Sequence, residues 1–82
     1  MASARDEVLE RRALVGERLR ALRTTAGLSQ EHLAELAGLD RKLVYRTELG
    51  TTSPRLDALL ALCIALKTHP GELFTTIPTP HR

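Results

Sequence analysis

Three cationic side chains lie close together near the middle of the chain: Arg41, Lys42 and Arg46. On a helix, residues four apart lie on one face, so Lys42 and Arg46 would point the same way with Arg41 beside them. Guanidinium and ammonium groups are hydrogen-bond donors that bind acceptor atoms on phosphates and base edges. The net charge of +2 is too small to indicate such a partner by itself. Taken alone, the cluster is more typical of an ordinary solvated face, so the elements around it decide whether it indicates a surface for nucleic acid.

Helix-capping and helix-ending residues divide this part of the chain into short helices. Gly27 ends a first helix, and Ser29 is a good cap for a second helix that Gly38 ends. Asp40 is a cap for a third helix, which ends before Gly50. The cationic cluster therefore lies at the start of a helix that follows another short helix across a tight turn. This arrangement is typical of a helix-turn-helix, whose second helix fits the major groove of B-DNA.

The first helix has an apolar face that begins before Gly16 and continues after it. Glycine in a helix interior costs roughly 1 kcal/mol, so we expect the helix to start firmly only near Arg11 or Arg12. After the third helix, Ser53 as the cap and Pro54 as the first residue are predicted to begin a fourth helix. That helix is apolar on nearly every side, as expected for burial on more than one face.

A short fifth helix is predicted from Pro70 to about Phe74, and no segment has a strand pattern. The predicted fold is therefore all-α, a compact five-helix bundle that contains a helix-turn-helix. The predicted organisation is an N-terminal extension or start of helix one (1–11), the DNA-binding domain (12–74) and a flexible C-terminal tail (75–82).

The composition is that of a small globular protein, since 43% of the 82 residues are hydrophobic and 27% are charged. So short a chain leaves little room for a catalytic pocket, and its polar residues form no catalytic or metal-ligand set. We therefore expect no enzyme activity, no cofactor and no metal. The single cysteine, Cys63, is predicted to be a buried apolar residue. The chain has no membrane-spanning run and no signal-peptide pattern, so the expected location is the cytoplasm.

Ordered motifs run through most of the chain, over roughly residues 12–74. They are Gly16-Glu17-Arg18-Leu19-Arg20, Gly27-Leu28-Ser29-Gln30-Glu31, Leu33-Ala34-Glu35-Leu36-Ala37-Gly38-Leu39, Glu48-x-Gly50, Pro54, Leu59 and Ala65-Leu66. In this order and spacing the chain resembles the lambda-repressor-like helix-turn-helix proteins, also called the Xre family. The resemblance implies a bundle of four or five helices that regulates transcription, as a repressor or controller, by sequence-specific binding to DNA.

The resemblance also implies roles for individual residues. The exposed residues early in helix three would read bases in the major groove: Arg41, Lys42, Tyr45 and Arg46. Contacts with the DNA backbone are predicted for Gln30, Asp40, Thr51, Thr52, Ser53 and Arg55. Arg23 in helix one would form a structural ion pair with Glu48 at the end of helix three. Thr47 occupies a position where the family usually has Ile or Leu, so softer packing is expected beneath this helix.

The predicted partner is double-stranded DNA, with no membrane association. One recognition helix reads only a few base pairs, so we expect a homodimer on a pseudo-palindromic operator. The apolar residues near the C-terminus predict its interface: Leu62, Leu66, Leu73, Phe74 and Ile77. The alternative function is a protein-interaction module, such as an antitoxin, in which binding to a toxin or another partner is primary. A further contact with RNA polymerase also remains open.

Overall fold

The computed structural model describes residues 3–75, which form four α-helices and one short 3₁₀ helix. The elements are α1 (Ala4–Thr25), α2 (Gln30–Ala37), α3 (Arg41–Leu49), α4 (Leu56–Leu66) and the 3₁₀ helix (Pro70–Phe74). No strand occurs within residues 3–75, so the all-α prediction is confirmed. Over the same range, no helix combines the length and the apolar character that crossing a membrane requires.

The predicted fifth helix is a 3₁₀ turn of five residues, so the five-helix prediction is wrong for the described part of the chain. Pro70 contributes no N–H group, and Gly71 is a weak helix former. The ring of His69 accepts a hydrogen bond from the main-chain N–H of Gly71 at 3.0 Å and caps the turn. A 3₁₀ turn suits such a short segment, because 3₁₀ helices rarely extend beyond one turn or so.

The first helix begins at Ala4, well before the predicted firm start near Arg11 or Arg12. Residues 4–11 are therefore continuous with helix one. Asp6 lies in the first turn, where a carboxylate suits the positive end of the helix dipole, and it accepts a hydrogen bond from the Ser3 N–H at 3.3 Å. The sequence-based expectation gave too much weight to the local cost of Gly16.

Gly16 is required where α1 meets the end of α3. A Cβ atom at this position would collide with the main-chain oxygens of Thr47 and Glu48. Nearby, a Cβ at Gly50 would lie 2.7 Å from the Cα of Ala13, and the φ of Gly50 is +75°. At position 50, only glycine accommodates both the contact with Ala13 and the positive φ without strain. The residue that weakens α1 as an isolated helix is therefore the one that lets α3 pack against it.

The fourth helix begins at Leu56, so the prediction that Ser53 caps it and Pro54 starts it is wrong by two residues. Arg55 is the N-terminal cap residue, with the extended values φ −66° and ψ 155°. Pro54 is half-buried in the wall of an apolar groove that also contains Val8 of α1. This packing accompanies an extended chain through Arg55, so helical geometry begins only afterwards.

One fully buried side chain from each element meets at the centre of the fold. These side chains are Leu19, Leu33, Val44, Leu62 and Leu73. Burying each of them contributes roughly 1.5–3 kcal/mol relative to exposure. Cys63 also belongs to this core, and burial raises the pKa of its thiol above the ordinary value. This core fixes the relative positions of α2 and α3.

Candidate nucleic-acid interface

The connection between α2 and α3 is held by caps on both sides. At the start of α2, Ser29 Oγ accepts a main-chain hydrogen bond of 3.0 Å, and Gly38 ends this helix with φ 69°. The carboxylate of Asp40 accepts a hydrogen bond from the N–H of Lys42 at 2.7 Å and starts α3. Between them, the half-buried Leu39 packs against the core. The two helices thus form the predicted helix-turn-helix, and the Asp40 carboxylate is engaged as a cap.

Helix α3 has an exposed face and a buried face. The exposed side chains include all four predicted base-reading residues: Arg41, Lys42, Tyr45 and Arg46. The buried side chains are Val44, Thr47 and Glu48. None of the ion pairs among the described residues involves the three cations of the exposed face. Their donors are therefore available to an external acceptor.

Thr47 lies on the buried face and is only 4% exposed. Its hydroxyl donates to the carbonyl oxygen of Leu43 at 2.6 Å, so the buried polar group is satisfied within its own helix. The main chain of Thr47 also contacts α1 at Gly16, where space is tightest. A threonine in place of a larger aliphatic residue is thus compatible with this close crossing.

Arg23 and Glu48 form an ion pair between α1 and α3. Arg23 Nε donates to Glu48 Oε2 at 2.6 Å, and Arg23 Nη2 donates to Glu48 Oε1 at 3.0 Å. The two side chains are only 12% and 4% exposed. The hydrogen bond to Glu48 raises the pKa of the Arg23 guanidinium above its usual value, although desolvation opposes this. Arg23 also donates to the carbonyl of Leu28 at 2.8 Å, which ties the α1–α2 turn to the same pair.

Gln30, the first residue of α2, joins this network. Its Nε2 donates to Glu48 Oε1 at 3.0 Å, and its side chain is part-buried. One of its two amide N–H groups is thereby used inside the protein. The network fixes where the start of α2 lies relative to the exposed face of α3.

The segment between α3 and α4 alternates between exposed and half-buried residues. Thr51, Ser53 and Arg55 are exposed, whereas Thr52 is half-buried. Thr52 lines the apolar groove beside α1. Of the backbone-contact residues predicted in this loop, Thr51, Ser53 and Arg55 thus present their side chains to solvent.

One cation beside α3 was missed by the sequence analysis. Arg20 of α1 is exposed and lines a cleft together with Gln30, Tyr45 and Leu49. The available signal was its position three residues before Arg23, which places the two side chains on neighbouring parts of the helix surface.

The residues predicted for a dimer interface are scattered between core and surface. Leu62 and Leu73 are fully buried within the single chain, so their prediction as interface residues is wrong. The core needs both of them because each element supplies one central side chain. Leu66 is half-buried against this core, and Phe74 is 47% exposed. Ile77 lies outside the described residues.

The largest exposed apolar surface of α4 is instead a stripe formed by Leu56, Leu60 and Ile64. These residues recur at intervals of four and are 68%, 39% and 78% exposed. We call them the α4 stripe. A helix that is apolar all round carries no sequence signal for which side faces the core, so this stripe could not be distinguished beforehand.

The fold and the exposed cationic face of α3 together indicate a class of protein. A family model described as the helix-turn-helix domain matches residues 14–75. The chain therefore belongs to the helix-turn-helix family, and it is a DNA-binding regulator of the Xre type rather than an enzyme. Residues 4–13 of α1 precede the matched region.

Three known proteins are similar to this chain over most of its length. Control protein C.SmaI from Serratia marcescens is 36% identical over 62 residues, which are 76% of this chain and 74% of that protein. The crystal structure of the restriction-modification controller protein C.AhdI from Aeromonas hydrophila has a TM-score of 0.75 and 49% identity, covering 77% of this chain and 96% of that chain. A transcriptional regulator from Vibrio cholerae has a TM-score of 0.79 over 87% of this chain and 40% of that chain. Its 24% identity shows the fold alone.

Proposed function

We propose that this chain is a controller-type transcriptional regulator that binds, as a homodimer, an operator of two inverted half-sites. In this proposal α3 enters the major groove, and Arg41, Lys42, Tyr45 and Arg46 read base edges. The observation that carries the proposal is the division of α3 into an unpaired cationic outer face and a buried inner face. Similarity to the controller C.AhdI supports a role in controlling restriction–modification genes. The functional domain spans residues 12–74.

Contacts with the DNA backbone would supply affinity and register rather than sequence choice. Suitable donors flank α3 on both sides. Gln30 lies at the start of α2 with one amide N–H left over, and Thr51, Ser53 and Arg55 are exposed after α3. Asp40 would act by capping α3 and so positioning the cations that follow it.

A two-fold dimer would place two copies of α3 in successive major grooves, about 34 Å apart. Such an interface must use the same patch on both copies. The α4 stripe offers exposed apolar surface on a helix that packs against α2 and the 3₁₀ helix. Phe74, at the end of the 3₁₀ helix, adds a further exposed apolar side chain. We therefore assign the dimer contact to this surface.

The test is selection of DNA from a random pool by the full chain, combined with sedimentation of the free protein at micromolar concentrations. We expect the selected sequences to contain two inverted half-sites about one helical turn apart, and the protein to sediment as a dimer. A monomeric protein that enriches no sequence would overturn the proposal. That result would favour the protein-interaction alternative, with the α4 stripe as the partner surface.

A further inference from the structure

Arg20 is an exposed cation of α1 that lies at the edge of the recognition surface. It lines a cleft of about 210 Å³ together with Gln30 at the start of α2 and Tyr45 and Leu49 on α3. We infer that Arg20 is a further DNA-contact residue, whose guanidinium binds a backbone phosphate beside the groove that α3 enters. This inference rests on the proposed function, and it adds helix one to the elements that touch DNA.

The protein does not use the charge of Arg20 internally. The carboxylate in the same cleft, that of Glu48, already accepts two hydrogen bonds from Arg23 and one from Gln30. Within residues 3–75, the guanidinium of Arg20 has no ion pair, and none forms with Glu17 one turn earlier. An unpaired guanidinium beside residues that face DNA is placed to bind an anion from outside.

Other arginines of α1 behave differently. Arg11 pairs with Glu7 at 3.8 Å, and Arg18 pairs with Glu72 at 2.7 Å. Arg5 is exposed, but it lies fifteen residues before Arg20, or about 22 Å along the helix. Arg12 also has no ion pair among the described residues, but it is half-buried in the apolar groove beside Thr52, away from the cleft that contains Tyr45. Of the two exposed arginines of α1, Arg5 and Arg20, only Arg20 thus combines an uncompensated charge with a position next to α3.

A phosphate fits this position better than a base. Helix α1 packs behind the C-terminal half of α3 through Gly16, so α3 separates it from the floor of the groove. Side chains of α1 that pass beside α3 reach the rim of the groove, where the sugar–phosphate strand runs. Phosphate contacts of this kind add affinity that depends on salt and is independent of sequence.

The experiment compares wild type, Arg20→Ala, Arg20→Lys and Arg5→Ala. Each protein is titrated over a series of potassium chloride concentrations with two probes, a mixed-sequence duplex and a duplex selected by the wild type. For Arg20→Ala we expect weaker binding to both probes, and a slope of log K against log salt that is smaller by about 0.9. Arg20→Lys should keep the slope, because it keeps the charge. Arg5→Ala should match wild type.

If the wild type binds both duplexes with a measurable salt dependence, three results would contradict the Arg20 contact. They are an unchanged slope in Arg20→Ala, an equal change in Arg5→Ala, and a loss limited to the selected duplex. The last result would indicate base reading instead. If the wild type itself shows no salt-dependent binding, the proposed function fails and the Arg20 contact fails with it. Melting curves check that the variants are folded. We expect Arg20→Ala to melt at the wild-type temperature, because residue 20 is exposed and alanine favours helix.

Discussion

A single carboxylate, that of Glu48, connects three helices. It lies on the inner face of α3 and accepts hydrogen bonds from Arg23 of α1 and from Gln30 of α2. With the side chain of Glu48 only 4% exposed, its charge depends on these partners rather than on water. Removing one donor therefore has a different consequence from removing an exposed ion pair.

Arg23→Ala is expected to lower the free energy of unfolding by about 3–5 kcal/mol, because the Glu48 charge stays buried without its main partner. Arg18→Ala is the matched control. The side chains of Arg18 and Glu72 are 28% and 47% exposed, so the loss there should be under about 1 kcal/mol. Urea unfolding of both variants measures the difference. Similar losses in the two variants would show that the buried pair contributes no more to the free energy of unfolding than the exposed pair.

Arg41→Ala and Arg46→Ala should each weaken binding to the selected duplex by about 1–3 kcal/mol and relax sequence choice at one position of each half-site. Both side chains are exposed, so neither substitution should disturb folding. Titration of the duplex and a repeated selection with each variant measure the two effects. Full affinity and an unchanged preferred site in both variants would mean that another surface reads the bases.

At the scale of the elements, the contact between α1 and α3 depends on the absence of a side chain at Gly16. Local preference and tertiary packing oppose one another at this position. An isolated helix gains about 1 kcal/mol when glycine is replaced by alanine. In the folded chain the added methyl group would meet the main-chain oxygens of Thr47 and Glu48.

We therefore expect Gly16→Ala to destabilise the protein by about 1–3 kcal/mol, as overpacking does, despite the better helix former. Ala21→Gly is the matched control in the same helix. Ala21 is exposed, so only the propensity loss of about 1 kcal/mol should appear. Thermal or urea unfolding measures both. Stabilisation by Gly16→Ala would contradict the close approach of α1 and α3.

The contrast between local and non-local signals explains which elements could be predicted from the sequence. The limits of α2 and α3 follow from Ser29, Gly38, Asp40 and Gly50, which act through their own caps and turns. The start of α1 also has a local signal, the hydrogen bond between Ser3 and Asp6. The contact with α3 that explains Gly16 within α1 is not contained in sequence spacing. The late start of α4 similarly accompanies packing of Pro54 in a groove formed with other elements.

The candidate site divides in the same way. The cations of α3 were predictable because their spacing on one helix places them together. For Arg20 the only signal was its spacing from Arg23, since its position beside Tyr45 depends on how α1 crosses α3. Nor did the sequence separate the core residue Leu62 from the exposed Ile64, because nearly every side of α4 is apolar.

At the scale of the whole molecule, the α4 stripe is the surface through which the proposed dimer would bring two recognition helices to one operator. Its two leucines and its isoleucine are exposed and do not belong to the buried core. Scattered apolar side chains are common on protein surfaces, whereas a continuous stripe marks an interaction site. The stripe is separate from the exposed face of α3, so dimer formation and DNA binding would not compete for the same residues.

Ile64→Glu should convert the dimer into a monomer and remove cooperative binding to the two half-sites. Ile64 is 78% exposed in the single chain, so the monomer itself should remain folded. Leu36→Glu is the control, since Leu36 is 54% exposed on α2 and lies outside the stripe. Sedimentation and duplex titration measure both variants. An unaltered dimer in Ile64→Glu would place the interface elsewhere, and Phe74→Glu would then test the exposed side chain at the end of the 3₁₀ helix.

The separation of α3 into two faces also bears on how such regulators diverge. The side chains that face outward make no contribution to the buried core, and those that face inward are withheld from DNA. Under the proposed function, substitution at the outward positions would change operator preference while the scaffold stays the same. Two descendants of one ancestral chain could in this way act in a single cell without either protein binding the operator of the other.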